Sequence, residues 1–186
     1  MSELSRRLVH ASGSIPVFAY LAGVLPWRWF QWLVVAGSGI VVALEALRLS
    51  GHVSWRIYDR LTREYEQNNP AGYALYVLSS AATAWLFAPE VAVPAILMLA
   101  LADPFSGLLS SDGLGRKRGW VLLATFGVCV GIATATGVGP SAAVAGALAA
   151  TLADGATPVV RGYVVDDNAT IPLGAAAAMW LVGAVA

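Results

Sequence analysis

The chain has 186 residues, of which 58% are hydrophobic and only 12% charged, with 11 basic and 11 acidic side chains and no net charge. Soluble domains carry roughly 25% charged residues, so this composition excludes a soluble globule, and its apolar content excludes a disordered chain. It points to a multi-pass membrane protein.

A spanning helix needs about 20 mostly apolar residues. Leu8 to Trp27 carries no Asp, Glu, Lys or Arg and predicts a retained first helix behind Arg6-Arg7. Pro26-Trp27-Arg28-Trp29 reads as an interfacial anchor. Phe30 to Leu49 predicts a second span, with Glu45 and Arg48 near its end. From Gly51 to Asn69, Trp55, Tyr58, Leu61 and Tyr65 recur at helical spacing among charged residues, which predicts an amphipathic helix in the interface.

Asn68-Asn69-Pro70 stops that helix, and Ala71 to Ala88 spans again. Val91 to about Leu109 returns, with Asp103-Pro104 in its last third. A polar loop from Ser110 to Gly119 holds Arg116-Lys117-Arg118. Trp120 to Ala153 has no charge, and Gly137-Val138-Gly139-Pro140 divides it into a helical hairpin. A polar segment from Asp154 to Asn168 precedes a last helix, Thr170 to Ala186, with Asp167 or Asn168 placed to cap it. The reading is all-α: one integral-membrane domain, residues 1–186, of about seven transmembrane helices plus the interfacial one.

Alternating those spans puts Arg6, Arg7, Arg48, Arg56, Arg60, Arg63, Arg116, Lys117, Arg118 and Arg161 on one side and Arg28 on the other. The excess of positive charge marks the cytoplasmic side. The N-terminus is then cytoplasmic and the C-terminus external. Compactness and the use of Arg over Lys suggest a prokaryotic cell membrane. No basic block suggests nucleic-acid binding, and the single Cys129 lies in an apolar run.

The carboxylates follow the same side, all but Glu90. At about 1.5 Å per residue, Glu45 lies roughly 24 Å along its helix from Trp29. Asp103 lies roughly 20 Å from Glu90, and Asp154 roughly 21 Å from Pro140, on the same rise. Three carboxylates on three helices thus share one level, and Asp166, Asp167 and Asn168 begin the last span near it. Carboxylates at such a depth mark a functional site; Glu45 with Arg48 at i,i+3 also reads as a structural pair. Carboxylates that converge beside Arg and Lys suit a magnesium–nucleotide site, because oxygen ligands hold the hard cation and basic groups neutralise phosphate. Gly107, Gly113, Gly115 and Gly119 surround the basic loop, where backbone N–H groups could approach phosphate.

These residues, in this order, resemble the CTP-dependent polyprenol kinase family, which includes dolichol kinase, phytol kinase and the yeast-type diacylglycerol kinase. Arg6-Arg7-Leu-Val-His10-Ala-Ser-Gly13 is similar to that family's basic–His–Gly opening, and Glu45-Ala-Leu-Arg48 to its Glu-x-x-Arg. Ala102-Asp103-Pro104 with the glycines and Arg116-Lys117 is similar to its Asp–Gly–basic loop. Leu152-Ala153-Asp154-Gly155 and Asp166-Asp167-Asn168-Ala-Thr-Ile-Pro172-Leu173 are similar to its C-terminal elements. The Lys-Ser/Thr often found after the basic loop has no counterpart in Gly119-Trp-Val-Leu-Leu-Ala-Thr125-Phe-Gly127.

The resemblance implies a kinase that transfers the γ-phosphoryl of CTP to the hydroxyl of a membrane isoprenoid alcohol or diacylglycerol. It implies magnesium on Asp103, Asp154 and Asp167. Arg48, Gly113, Gly115, Arg116, Lys117 and Asn168 would hold nucleotide and phosphate, and Asp166 and Asp103 would be the catalytic carboxylates. Glu45 and His10 would support them. A membrane cytidylyltransferase making a CDP-lipid, and a degenerate non-catalytic relative, are the alternatives; a transporter would need a polar path through the far leaflet.

Overall fold

A computed structural model describes residues 3–51, 66, 67, 69–110, 117–156, 158–160 and 163–185. The expected amphipathic helix lies, over residues 52–65, outside the described residues, as do Gly113, Gly115, Arg116 and Arg161. The described elements are helical apart from one short ladder. They are α1 (Glu3–Ser12), α2 (Ile15–Leu21), α3 (Trp27–Leu49), α4 (Gly72–Leu86), α5 (Pro89–Leu97), a π turn (Met98–Ala102), α6 (Asp103–Leu109), α7 (Gly119–Ala135), α8 (Pro140–Gly155), β1 (Val159–Val160), β2 (Tyr163–Val164) and α9 (Asp167–Val185).

Two described helical runs are long and apolar enough to cross a membrane: Trp27–Leu49, with 23 residues, and Pro89–Leu109, with 21. At about 1.5 Å per residue both exceed the roughly 30 Å hydrocarbon core. α7 is apolar but has 17 residues, so on its own it falls short of that thickness. The two long runs differ in setting. In the most apolar stretch of α3 only 17% of residues are buried, against 67% in Pro89–Leu109.

The first expected helix is not continuous. The stretch Leu8 to Trp27 breaks at Gly13-Ser14 into α1 and α2. Pro16 has no N–H to return to the Ser12 carbonyl. The hydroxyls of Ser12 and Ser14 instead bond to Val9 and Ala11 carbonyls at 2.6 and 2.7 Å, and local backbone bonds of this kind favour a helix end. The hairpin at Gly137 forms as expected, with φ at +88°, a conformation open to glycine without strain.

α9 is the central element. It packs against α8, α4 and α5, while α7 packs on α8 and α3 on α4. Small residues make this close: Ala142, Ala143, Ala147 and Ala150 of α8 meet Ile171, Ala175, Ala176 and Met179 of α9. A Cβ on Gly146 would stand 2.4 Å from Met179 Cγ, so glycine there lets the helices approach. A second cluster joins Val17, Phe30, Ala84, Val93, Ile96 and Leu97. Between α8 and α9, Val159 pairs with Val164 and Val160 with Tyr163. This narrow reversal starts α9 beside the end of α8, and so sets Asp167 near Asp154.

Candidate acidic centre

Asp103 opens α6, Asp154 lies in the last turn of α8, and Asp167 opens α9. One carboxylate oxygen from each lies within 4.8 Å of the others. Asp154 is 2% exposed and Asp167 8%. A carboxylate suits a helix N-terminus, as at Asp167, and opposes the partial negative charge at a C-terminus, as at Asp154. Lys117 offsets the latter: its Nζ stands 2.5 Å from Asp154 Oδ1. Ser106 donates to Asp154 Oδ2 at 2.6 Å and accepts from Lys117 at 2.9 Å. Ser106 was not among the expected site residues, although it stands at i+3 from Asp103 and therefore on the same helical face.

His10 reaches the centre through the π turn. The Asp103 N–H bonds back to the Met98 carbonyl, and Pro104 has no N–H. The Leu99 carbonyl therefore loses both donors that the helix could offer. His10 Nε2 fills that place at 3.0 Å, and because a carbonyl only accepts, Nε2 carries the proton. The same nitrogen is 3.5 Å from Asp103 Oδ2. Arg7, one turn before His10, packs on Gly107, where a Cβ would lie 2.7 Å from its Nη1.

The remaining expected site residues are placed otherwise. Glu45 and Arg48 form a bidentate pair at 2.9 and 2.7 Å. The other Arg48 donors reach the carbonyls of Glu66, Gln67 and Asn69 at 3.1, 3.2 and 2.6 Å. Glu45 also accepts from the Ala71 N–H at 3.0 Å and from the Tyr73 hydroxyl. All five guanidinium N–H groups are thus engaged. Arg48, expected as a phosphate ligand, clamps the chain entering α4, with Glu45 holding it in place.

Asp166, expected as a catalytic carboxylate, caps a helix. Its Oδ1 accepts the Asn168 N–H at 2.9 Å and Asn168 Nδ2 at 2.7 Å, so Asp166, rather than Asp167 or Asn168, caps α9. That role engages one of its two carboxylate oxygens. Asn168 Nδ2 also lies 3.4 Å from Asp167 Oδ1, and its backbone carbonyl accepts from Ser79 at 2.6 Å.

The donor set suits a hard divalent cation, because three carboxylates offer oxygen alone. Opposite oxygens around magnesium stand about 4.2 Å apart, twice a bond of roughly 2.1 Å. The three oxygens lie within 4.8 Å of one another, so they would close in to enter that shell. The buried Asn168 Oδ1, without a hydrogen-bond partner among the described residues, is a further oxygen beside Asp167. No family model matches the chain, and neither a curated protein nor a solved structure matches it.

Proposed function

We propose that this chain is a multi-pass membrane lipid kinase that transfers the γ-phosphoryl of CTP to the hydroxyl of a polyprenol- or dolichol-like alcohol or of diacylglycerol. The observation that carries the reading is the convergence of Asp103, Asp154 and Asp167 from three helices onto one point. Lys117 and Ser106 supply donors there, at the ends of helices that are otherwise apolar. The family resemblance supplies CTP and the lipid class.

The exposed apolar face of α3 supports the membrane setting. Trp29, Trp32, Leu33, Ile40 and Val42 are each about half exposed or more, a surface that water would penalise and acyl chains would cover. The seven-span arrangement with a cytoplasmic N-terminus belongs to the same proposal, and it rests on the one-sided distribution of basic residues.

Asp103, Asp154 and Asp167 would hold magnesium, which when bound neutralises phosphate charge and orients the γ-phosphoryl group. Lys117 sits where it can exchange Asp154 for a phosphate oxygen. The acceptor oxygen bonds to the γ-phosphorus as the bond to the β-bridging oxygen breaks, and CDP leaves. The hydroxyl proton passes to a carboxylate. Asp103 takes that role, with Asp166, whose cap engages only Oδ1, as the other candidate.

Purified protein in detergent with magnesium, labelled CTP or ATP, and a panel of lipid alcohols tests this. Lipid phosphate and CDP are expected, with CTP preferred by more than about tenfold. Pyrophosphate and CDP-lipid would instead identify a cytidylyltransferase, and no transfer from either nucleotide would refute the kinase.

A further inference from the structure

Asp154 has both carboxylate oxygens engaged. Oδ1 accepts from Lys117 Nζ at 2.5 Å and Oδ2 from Ser106 Oγ at 2.6 Å. Ser106 Oγ accepts in turn from Lys117 Nζ at 2.9 Å, so the three groups close a ring of hydrogen bonds. The Asp154 side chain is buried, while that of Lys117 is 17% exposed. Lys117 stands two residues ahead of α7, on a flexible four-carbon stem. Its ammonium can turn outward, whereas Asp154 stays fixed in the last turn of α8.

Asp154 also belongs to the point where the three carboxylates meet. The ammonium therefore does for Asp154 what a divalent cation would do, and its charge reaches Asp103 as well. A cation placed among the carboxylates would bring two further positive charges onto the group that Lys117 already neutralises. In a site so far from water that repulsion is little screened. Moving Lys117 aside removes the repulsion and costs its bonds to Asp154 and Ser106, and a cation alone returns neither.

A phosphate that arrives with the cation changes both terms. Its oxygens accept from the ammonium in place of Asp154, and its negative charge offsets the repulsion between ammonium and metal. Ser106, which both donates and accepts, keeps Asp154 oriented while the ammonium changes partner.

We infer that Lys117 makes cation binding at the acidic centre conditional on phosphate: a bare divalent cation competes with the ammonium for Asp154, and a cation that brings a phosphate does not. The inference rests on the lipid-kinase reading for the identity of that phosphate. It extends the reading to why the centre takes a metal–nucleotide pair in preference to the free ion.

Lys117→Met keeps most of the stem and removes the charge. The full chain in detergent is titrated with magnesium alone and with magnesium–CTP, and its melting temperature is followed in each. Lys117→Met should bind magnesium alone about tenfold more tightly than the parent and magnesium–CTP about tenfold more weakly, the ordinary size of a coupling between two sites. The variant should melt below the parent in chelator, because Asp154 is left without its cation, and magnesium alone should restore it. Lys117→Arg retains the charge and should bind magnesium alone as weakly as the parent does.

Magnesium affinity unchanged in Lys117→Met would overturn the inference, since Lys117 would then be a structural tie or a phosphate ligand and nothing more. Tighter magnesium binding with magnesium–CTP affinity unchanged would also overturn it, because the ammonium would then never pass to a phosphate. The parent supplies a test that needs no variant: binding of magnesium alone as tightly as magnesium–CTP would sink the idea by itself. The same opposed shifts seen with magnesium and inorganic phosphate, in a protein that binds neither CTP nor ATP, would uphold the coupling and refute the kinase.

Discussion

Replacing Arg48 by Met should destabilise the protein by about 3–5 kcal/mol while leaving nucleotide affinity unchanged. Met preserves most of the apolar stem and removes every donor. The Arg48 and Glu45 side chains are 8% and 10% exposed, so solvent screens the pair little and the exposed-pair figure of below about 1 kcal/mol does not apply. The substitution strips two bonds from Glu45, which keeps only the Ala71 N–H and the Tyr73 hydroxyl. It also releases the carbonyls of Glu66, Gln67 and Asn69. The Gln67 carbonyl is exposed and can recover water, whereas those of Glu66 and Asn69 are part-buried and add to the cost of the stranded carboxylate. Adding Glu45→Gln should restore part of the stability, because the double variant no longer buries an uncompensated charge. Thermal unfolding in detergent gives the stability, and titration with magnesium–CTP gives the affinity. A loss under about 1 kcal/mol, or an intact fold with nucleotide binding weakened tenfold, would refute the clamp and return Arg48 to the phosphates.

Asp103→Asn and Asp154→Asn should each lower magnesium-dependent turnover by more than about hundredfold with the fold retained; near-normal turnover at low magnesium would remove that residue from the metal shell. Asp166→Ala should cost about 1 kcal/mol of stability through the lost cap, and Asp166→Ser should restore it. Abolished turnover in a fully stable Asp166→Ala protein would make Asp166 the catalytic carboxylate after all. His10→Ala strands the Leu99 carbonyl and should cost about 1–3 kcal/mol, whereas His10→Gln can still donate to it; identical melting of both variants and the parent would show the bond to be idle. A cysteine placed at 117 should resist impermeant reagents in intact cells, and its labelling there would sink both the topology and the site.

Counting residues from the turns was informative about level and silent about direction. The uniform rise of a helix puts Glu45, Asp103 and Asp154 at one level with Asp166 and Asp167 near it, and the structure brings Asp103, Asp154 and Asp167 together. Glu45 sits at a similar depth by the same count, yet it faces the chain entering α4. Rise gives height along a helix, while the facing direction depends on which neighbours pack, and α3 packs on α4. The targets of Arg48 were illegible for a related reason: they are backbone carbonyls 18 to 21 residues away, and a carbonyl has no residue-type signature. The α1–α2 break was hidden because Gly13, Ser14 and Pro16 are individually tolerable in a membrane helix. Ser106 could have been found from its i+3 spacing to Asp103, but a serine at the end of an apolar span invites no such reading without its partner Asp154.

The π turn before Asp103 acts as a phase adjuster. An α-helix advances about 100° around its axis for each residue, and a π turn inserts one residue into that progression. Ile96 and Leu97, ahead of it, pack with Val17 and Phe30, while Asp103 and Ser106, beyond it, face Asp154. Removing one residue from Met98–Ala102 would bring the run back to plain α geometry and swing one set away from its partners. The shortened chain would keep its hydropathy, its charge pattern and every candidate ligand. It would lose their alignment, so at this point a single-codon deletion is a graver lesion than most substitutions.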